Sequence, residues 1–183
     1  VLVTIALLLL LLPSSATFAD DLPGGTTTRY LSRFDVPNPP SQFDMVAVVL
    51  DFAPGAWTPT HYHGGLTLST VIAGELTWRQ QGADTVVKAG QTWIDQPGAV
   101  HAAGNNGASQ ATVVTTVLLP KGAKLTTNLQ PQPGDTGQGF VAGPKTTYLA
   151  TFTVPKPPSP FQVVQAVVDA APGSWTPTHM HGG

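Results

Sequence analysis

The chain has 183 residues, with eight Lys and Arg, ten Asp and Glu, no Cys and a net charge of −2. So few cations cannot build the basic face that nucleic acid requires, and the lack of thiols excludes disulfides, thiolate zinc sites, Cys nucleophiles and a lipid-modified Cys. Charged residues are only 10% of the sequence against 42% hydrophobic, with 19 Gly and 18 Pro, which favours a turn-rich all-β protein over long helices.

Val1 to Leu12 is almost continuously apolar, and Pro13 ends the run. Small residues follow (Ser14, Ser15, Ala16, Thr17), then Ala19 before Asp20-Asp21. The pattern is that of a secretory signal peptide over residues 1–19, cut after Ala19. The run is shorter than the ~20 apolar residues of a comfortable membrane span. A truncated anchor is the alternative, since no basic stretch precedes the run. The expected cleaved protein works outside the cytoplasm with no stable membrane anchor, where a chain without Cys has no thiol to oxidise.

Beyond the leader the chain reads as strands. Tyr30–Val36 alternates imperfectly, and Met45–Phe52 is a β-branched apolar run. Thr67–Ile72 and Glu75–Gln80 flank a turn at Ala73-Gly74, and Thr85–Lys88, Thr92–Asp95 and Thr112–Leu119 follow. Gly, Pro, Asn or Asp bounds these later strands, and no segment shows a sustained helical period with a cap. Many short strands at short spacing predict a sandwich or barrel.

The chain also repeats itself. Residues 26–65 and 144–183 align without a gap at an offset of 118, with 24 identities in 40 positions. That offset is the size of a whole domain, so the repeat reads as a tandem duplication. The expected organisation is a full domain over 26–125, a Pro-, Gly- and Gln-rich linker over 126–143, and the opening part of a second copy over 144–183. The partial copy would pack on the first, pair with another copy of the chain as a homo-oligomer, or stay loose.

All five His fall in motif positions: the pairs His61/His63 and His179/His181, and His101. Side chains two apart on a strand share a face, so His61 and His63 can bite one ion. A third imidazole from a neighbouring strand completes one face of a coordination sphere and leaves positions open. Rings that hold a metal also need hydrogen-bond partners to set the tautomer; Thr60, Thr67 and Asn105 are nearby candidates.

These spacings resemble those of the cupin superfamily. Its first motif is a Gly, five residues, His-x-His, three or four residues, Glu, six residues, Gly. This chain has Gly55, five residues, His61-Tyr62-His63, three residues, Thr67, six residues, Gly74. The second motif is a Gly, five residues, Pro-x-Gly, two residues, His, three residues, Asn. Here it runs Gly90, five residues, Gln96-Pro97-Gly98, two residues, His101, three residues, Asn105. Thr67 in place of the Glu and Gln96 in place of the first Pro are the departures. The likeness is greatest to small extracytoplasmic cupin-domain proteins with a His-x-His-Gly-Gly stretch. It implies a jelly-roll barrel, with His61, His63 and His101 holding a divalent transition metal (Fe, Mn, Zn, Ni or Cu) inside. His179 and His181 match the first motif in the incomplete copy. A hydroxyl at Thr67 is a poor ligand, and three neutral imidazoles leave a dication's charge uncompensated. Some cupins nonetheless use three His, certain dioxygenases among them.

Trp57, Tyr62, Trp78 and Trp93 read as pocket lining or as plain core. Asn105 reads as a ligand-orienting residue or as part of an Asn-Asn-Gly turn, and Glu75 as a solvated turn residue. Asp51, Asp84 and Asp95 read as loop or strand-end residues, so no general base is expected beside the histidines. Two functions follow. One is a metal-dependent, dioxygenase-like oxidoreductase acting on a small organic molecule. The other is a non-catalytic cupin that binds or senses a small molecule or metal. A structural, wall-associated barrel is a third reading.

Overall fold

The computed structural model describes residues 3–6, 19–22, 26–129, 143–176 and 178. Most of the expected leader (7–18), most of the expected linker (130–142), and His179 and His181 lie outside the described residues. Among the described residues there is no helix. The strands, in chain order, are β1 (Val3–Ala6), β2 (Ala19–Leu22), β3 (Thr26–Val36), β4 (Phe43–Phe52), β5 (His61–His63), β6 (Leu66–Ala73) and β7 (Glu75–Gln80). They continue with β8 (Ala83–Lys88), β9 (Thr92–Asp95), β10 (His101–Gly104), β11 (Ala111–Pro120), β12 (Thr126–Asn128), β13 (Lys145–Val154) and β14 (Phe161–Ala170). The all-β expectation holds. Thr126–Asn128, at the start of the expected linker, pairs with β5.

The chain divides into two compact units, Asn38–Ser159 and a second built from Val1–Pro37 with Pro160–Gly183. The larger unit is a jelly-roll of two five-stranded sheets, β12-β5-β10-β7-β8 and β13-β4-β11-β6-β9. Every pairing in both is antiparallel. Alternation explains which residues turn inward. Val48, Leu50 and Phe52 of β4 and Val113, Thr115 and Val117 of β11 lie two apart and all line one cavity, facing the histidines of the other sheet. Beside that cavity Phe52, Ala56, Val71, Leu76, Val87, Ala103, Ala111 and Val113 pack as the main core. The β7–β8 hairpin closes through Gln81-Gly82, both at positive φ (53° and 78°), the two-residue turn whose twist suits adjoining strands.

The smaller unit is a sheet in the order β1-β14-β3-β2. The expected leader thus contributes Val3–Ala6 to an edge of this sheet, paired with β14. Across the repeat, β3 corresponds to β13 and β4 to β14, yet no strand pairs with the partner of its own copy. Val36 of β3 lies opposite Phe161 of β14, and Val154 of β13 lies opposite Phe43 of β4. These are the same pair of repeat positions with the copies exchanged. Even the irregularity is shared: the register slips past Leu31 in one ladder and past Leu149, its repeat equivalent, in the other.

The Gly-Gly after His63 is dictated by close backbone approach. A Cβ at Gly65 would collide with the Leu118 carbonyl, and backbone has no rotamer with which to yield. Gly65→Ala should therefore cost about 1–3 kcal/mol, the usual range for overpacking. Urea unfolding measures this, and an unchanged midpoint would show that the turn between β5 and β6 relaxes freely.

Candidate metal centre

Three short stretches of strand bring the histidines together. His61 and His63 project from one face of β5, with Tyr62 between them. β10 lies beside β5 with His101 directly opposite His61. On the other side of β5, Thr126 stands opposite His63. Ring centroids are 4.4 Å apart for His61–His101, 4.9 Å for His61–His63 and 5.2 Å for His63–His101. One ligand nitrogen from each ring can be chosen so that all three lie within 4.8 Å of one another. His61 and His101 are each only 5% exposed.

Each ring is oriented by main chain. His61 Nδ1 lies 2.7 Å from the Pro59 carbonyl, His63 Nδ1 2.9 Å from the Leu125 carbonyl, and His101 Nδ1 3.0 Å from the Ala99 carbonyl. A carbonyl can only accept, so each Nδ1 carries the proton and donates it. In the neutral ring, Nε2 then has a free lone pair. Burial, with His101 nearby, holds His61 down at about 4, and burial likewise holds His63 at about 4. Burial lowers His101 as well. At neutral pH the centre therefore presents three clustered imidazoles from two adjacent strands, each with one unprotonated nitrogen. Three acceptors with no donor among them fit a cation, and a three-nitrogen imidazole face suits first-row dications.

The carbonyl partners are not the side chains expected from the sequence. Thr67 is buried, but its hydroxyl donates to the Gly65 carbonyl at 3.2 Å. The Asn105 amide donates to the Phe52 and Ser109 carbonyls and its oxygen accepts from the Gly107 N–H, so it braces the turn into β11. Thr126, not foreseen, has its hydroxyl 3.2 Å from His63 Nδ1. Trp57 packs on Gly104, where any Cβ would strike its ring, and Arg79 stacks over that ring at 4.6 Å. Neither Trp57 nor Tyr62 is among the residues that line the cavity; Trp93 is. Glu75 is exposed at the start of β7, as expected.

The expectation that no carboxylate stands beside the histidines is overturned. Asp51 and Asp84 are engaged elsewhere, with Thr112 and Gln110 and with Arg79. Asp95 ends β9, as expected, yet it is 1% exposed and its Oδ2 lies 3.5 Å from His101 Nε2. Burial pushes its carboxyl up to about 6, against the pull of two indole donors.

The cavity in front of the histidines holds about 340 Å³. Its walls are Val48, Leu50, Phe52, Val113 and Val117, with the hydroxyls of Ser69 and Thr115 hydrogen-bonded to each other at 2.9 Å. Gly143, just before the repeated segment, and Pro144, Thr146 and Tyr148 at its start also line it.

Residues 48–117 match the family model of the Cupin domain. All three histidines lie inside that stretch, and the match supports the cupin superfamily for it. Among solved structures, a double-stranded β-helix protein from Klebsiella pneumoniae is 27% identical, with 66% of this chain and 99% of that one covered and a TM-score of 0.44. An RmlC-like cupin from Shewanella frigidimarina is 22% identical over 58% of this chain and 87% of that one, with a TM-score of 0.39. A cupin-like protein from Thermotoga maritima is 18% identical over 73% and 80%, with a TM-score of 0.40. No curated protein matches the chain.

The depressed histidines set a pH dependence. His61 and His63 bind fewer protons folded, at about 4, than unfolded, at 6.5. Their contribution to stability is complete above 6.5 and is lost as pH falls through 4. Asp95, raised from 3.8 to about 6, acts in the opposite sense, its contribution fading as pH rises through 6. With two histidines against one carboxylate, metal-free protein should lose a few kcal/mol between about pH 6.5 and pH 4. Urea midpoints across that range measure it, and a flat profile would mean that these rings are solvated.

Proposed function

We propose that the protein is an extracytoplasmic metal-binding cupin that acts as a metal-dependent, dioxygenase-like oxidoreductase on a small, largely apolar organic molecule. The single observation that carries this reading is the clustering of His61, His63 and His101, each held through Nδ1 by a main-chain carbonyl, on the wall of a largely apolar cavity. His61, His63 and His101 would hold a first-row dication on one side and leave its other side toward the cavity. Such an ion supplies Lewis acidity and, when redox-active, an electron for dioxygen chemistry.

The rest of the work falls to this chain's residues. Val48, Leu50, Phe52, Val113 and Val117 exclude water and present an apolar surface to the substrate. The paired Ser69 and Thr115 hydroxyls, with Thr58, Thr126, Asn128 and Thr146 elsewhere on the wall, give the cavity polar spots at which a substrate oxygen can be oriented. The three main-chain carbonyls keep the rings from turning and hold their protons at Nδ1, while burial keeps Nε2 unprotonated. The apolar run before Pro13 and the small residues before Asp20 support an address outside the cytoplasm.

Metal analysis of purified protein should find one divalent transition ion per chain, and His61→Ala with His101→Ala should abolish it. Protein loaded with Fe(II) should then consume oxygen in the presence of at least one member of a panel of small phenols and diketones. Stoichiometric metal without turnover on any of them would favour the binding or sensing reading, for which Thr67 at the motif's Glu position already speaks. A chain that retains no metal would overturn both.

A further inference from the structure

The histidine set lacks the acidic residue of the motif it otherwise resembles, and Thr67 has turned its hydroxyl to main chain. β6 and β9 run antiparallel, with Thr67 directly opposite Asp95. Directly opposed residues of such a ladder project to the same side of the sheet, with Cβ atoms ~5 Å apart. A carboxylate has thus been lost from one strand and stands on its neighbour at the facing position.

Its surroundings are those of a held anion. Asp95 Oδ1 accepts the Trp78 indole N–H at 3.1 Å and Oδ2 accepts that of Trp93 at 3.1 Å. Each oxygen keeps lone-pair capacity beyond these bonds. Oδ2 faces His101 Nε2 at 3.5 Å, beyond the ~2.7–3.2 Å of a good N–H to O bond. The His101 proton, moreover, is committed at Nδ1 to Ala99. Two lone pairs therefore confront each other, an arrangement that repels unless positive charge lies between them. Their separation matches the ~3.4 Å between two ligand atoms that each sit about 2.1 Å from a tetrahedral ion.

We propose that Asp95 is the anionic ligand of the metal centre, supplying from β9 the carboxylate that the motif carries on β6. This rests on the reading that His61, His63 and His101 hold a dication, and it lowers the net charge of the loaded site by one. Trp78 and Trp93 act as positioning residues, aiming the carboxylate through their indole donors. The proposal also accounts for the threonine at position 67: a second carboxylate directly opposite Asp95 would place two anions on one buried face.

The test is Co(II) binding by the full chain, read by affinity and by the visible spectrum of the bound ion. Wild type should bind one equivalent. Asp95→Asn should bind at least ~10-fold more weakly, the low end of the loss seen when even an outer partner of a metal ligand is removed, and its spectrum should shift. Thr67→Glu in the Asp95→Asn background should recover affinity, which a merely structural role for Asp95 would not allow. An Asp95→Asn protein that melts like wild type and binds Co(II) with equal affinity and the same spectrum overturns the proposal while leaving the three-histidine site intact. A wild type that takes up no Co(II) overturns the site itself. Should Asp95→Asn fail to fold, Cu(II)-loaded wild type labelled with a magnetic isotope at its aspartate carboxyl carbons decides the matter. Pulsed electron resonance should then show coupling to a carboxyl carbon, and no coupling overturns the proposal.

Discussion

Three hydrogen bonds from imidazole Nδ1 to main-chain carbonyls govern what this protein can do. Each is an ordinary bond, worth about 1 kcal/mol net, and each fixes a tautomer that leaves Nε2 bare. The carbonyls of Pro59, Ala99 and Leu125 stand in the loops just before β5, β10 and β12, so turning a ring breaks its bond to main chain. The site is therefore organised before any ion arrives, which reduces the ordering cost of binding. Burial reinforces the effect by keeping the rings uncharged. Any ion that binds the folded chain and not the unfolded one must also stabilise the fold.

The segment 144–183, which repeats the sequence of 26–65, contributes to this cavity. Gly143, Pro144, Thr146 and Tyr148 line it, and β13 covers the edge of β4 that would otherwise present unpaired N–H and C=O groups. The opening strand of that segment thus forms the edge of the sheet that carries β4. The ladder between β3 and β14 pairs the same repeat positions as that between β4 and β13.

Much of this was legible before any coordinates. The period of two put His61 and His63 on one face, and β-branched runs marked β4, β6 and β11 with ends displaced by one or two residues. What escaped was non-local. Asp95 looked like a strand terminus because its local neighbours, Ile94 and Gln96, say nothing of a buried anion; only the β6–β9 register places it opposite Thr67. The ring-orienting carbonyls have no side-chain signature at all, so the sequence points instead to the nearby polar side chains Thr60, Thr67 and Asn105. β12 is three polar residues and could not be told from the Pro- and Gln-rich stretch that follows it. The start of β8 was missed because Gln81 is an uncommon residue for a positive-φ hairpin position.

The central claim is that three imidazoles of one barrel share a single ion. X-ray absorption at the metal edge of Zn(II)-loaded full-length protein tests it without recourse to turnover. The spectrum should show a first shell at ~2.0–2.1 Å with the outer-ring scattering of three imidazoles. An ion surrounded mainly by water oxygens, or bearing one imidazole or none, would contradict the account.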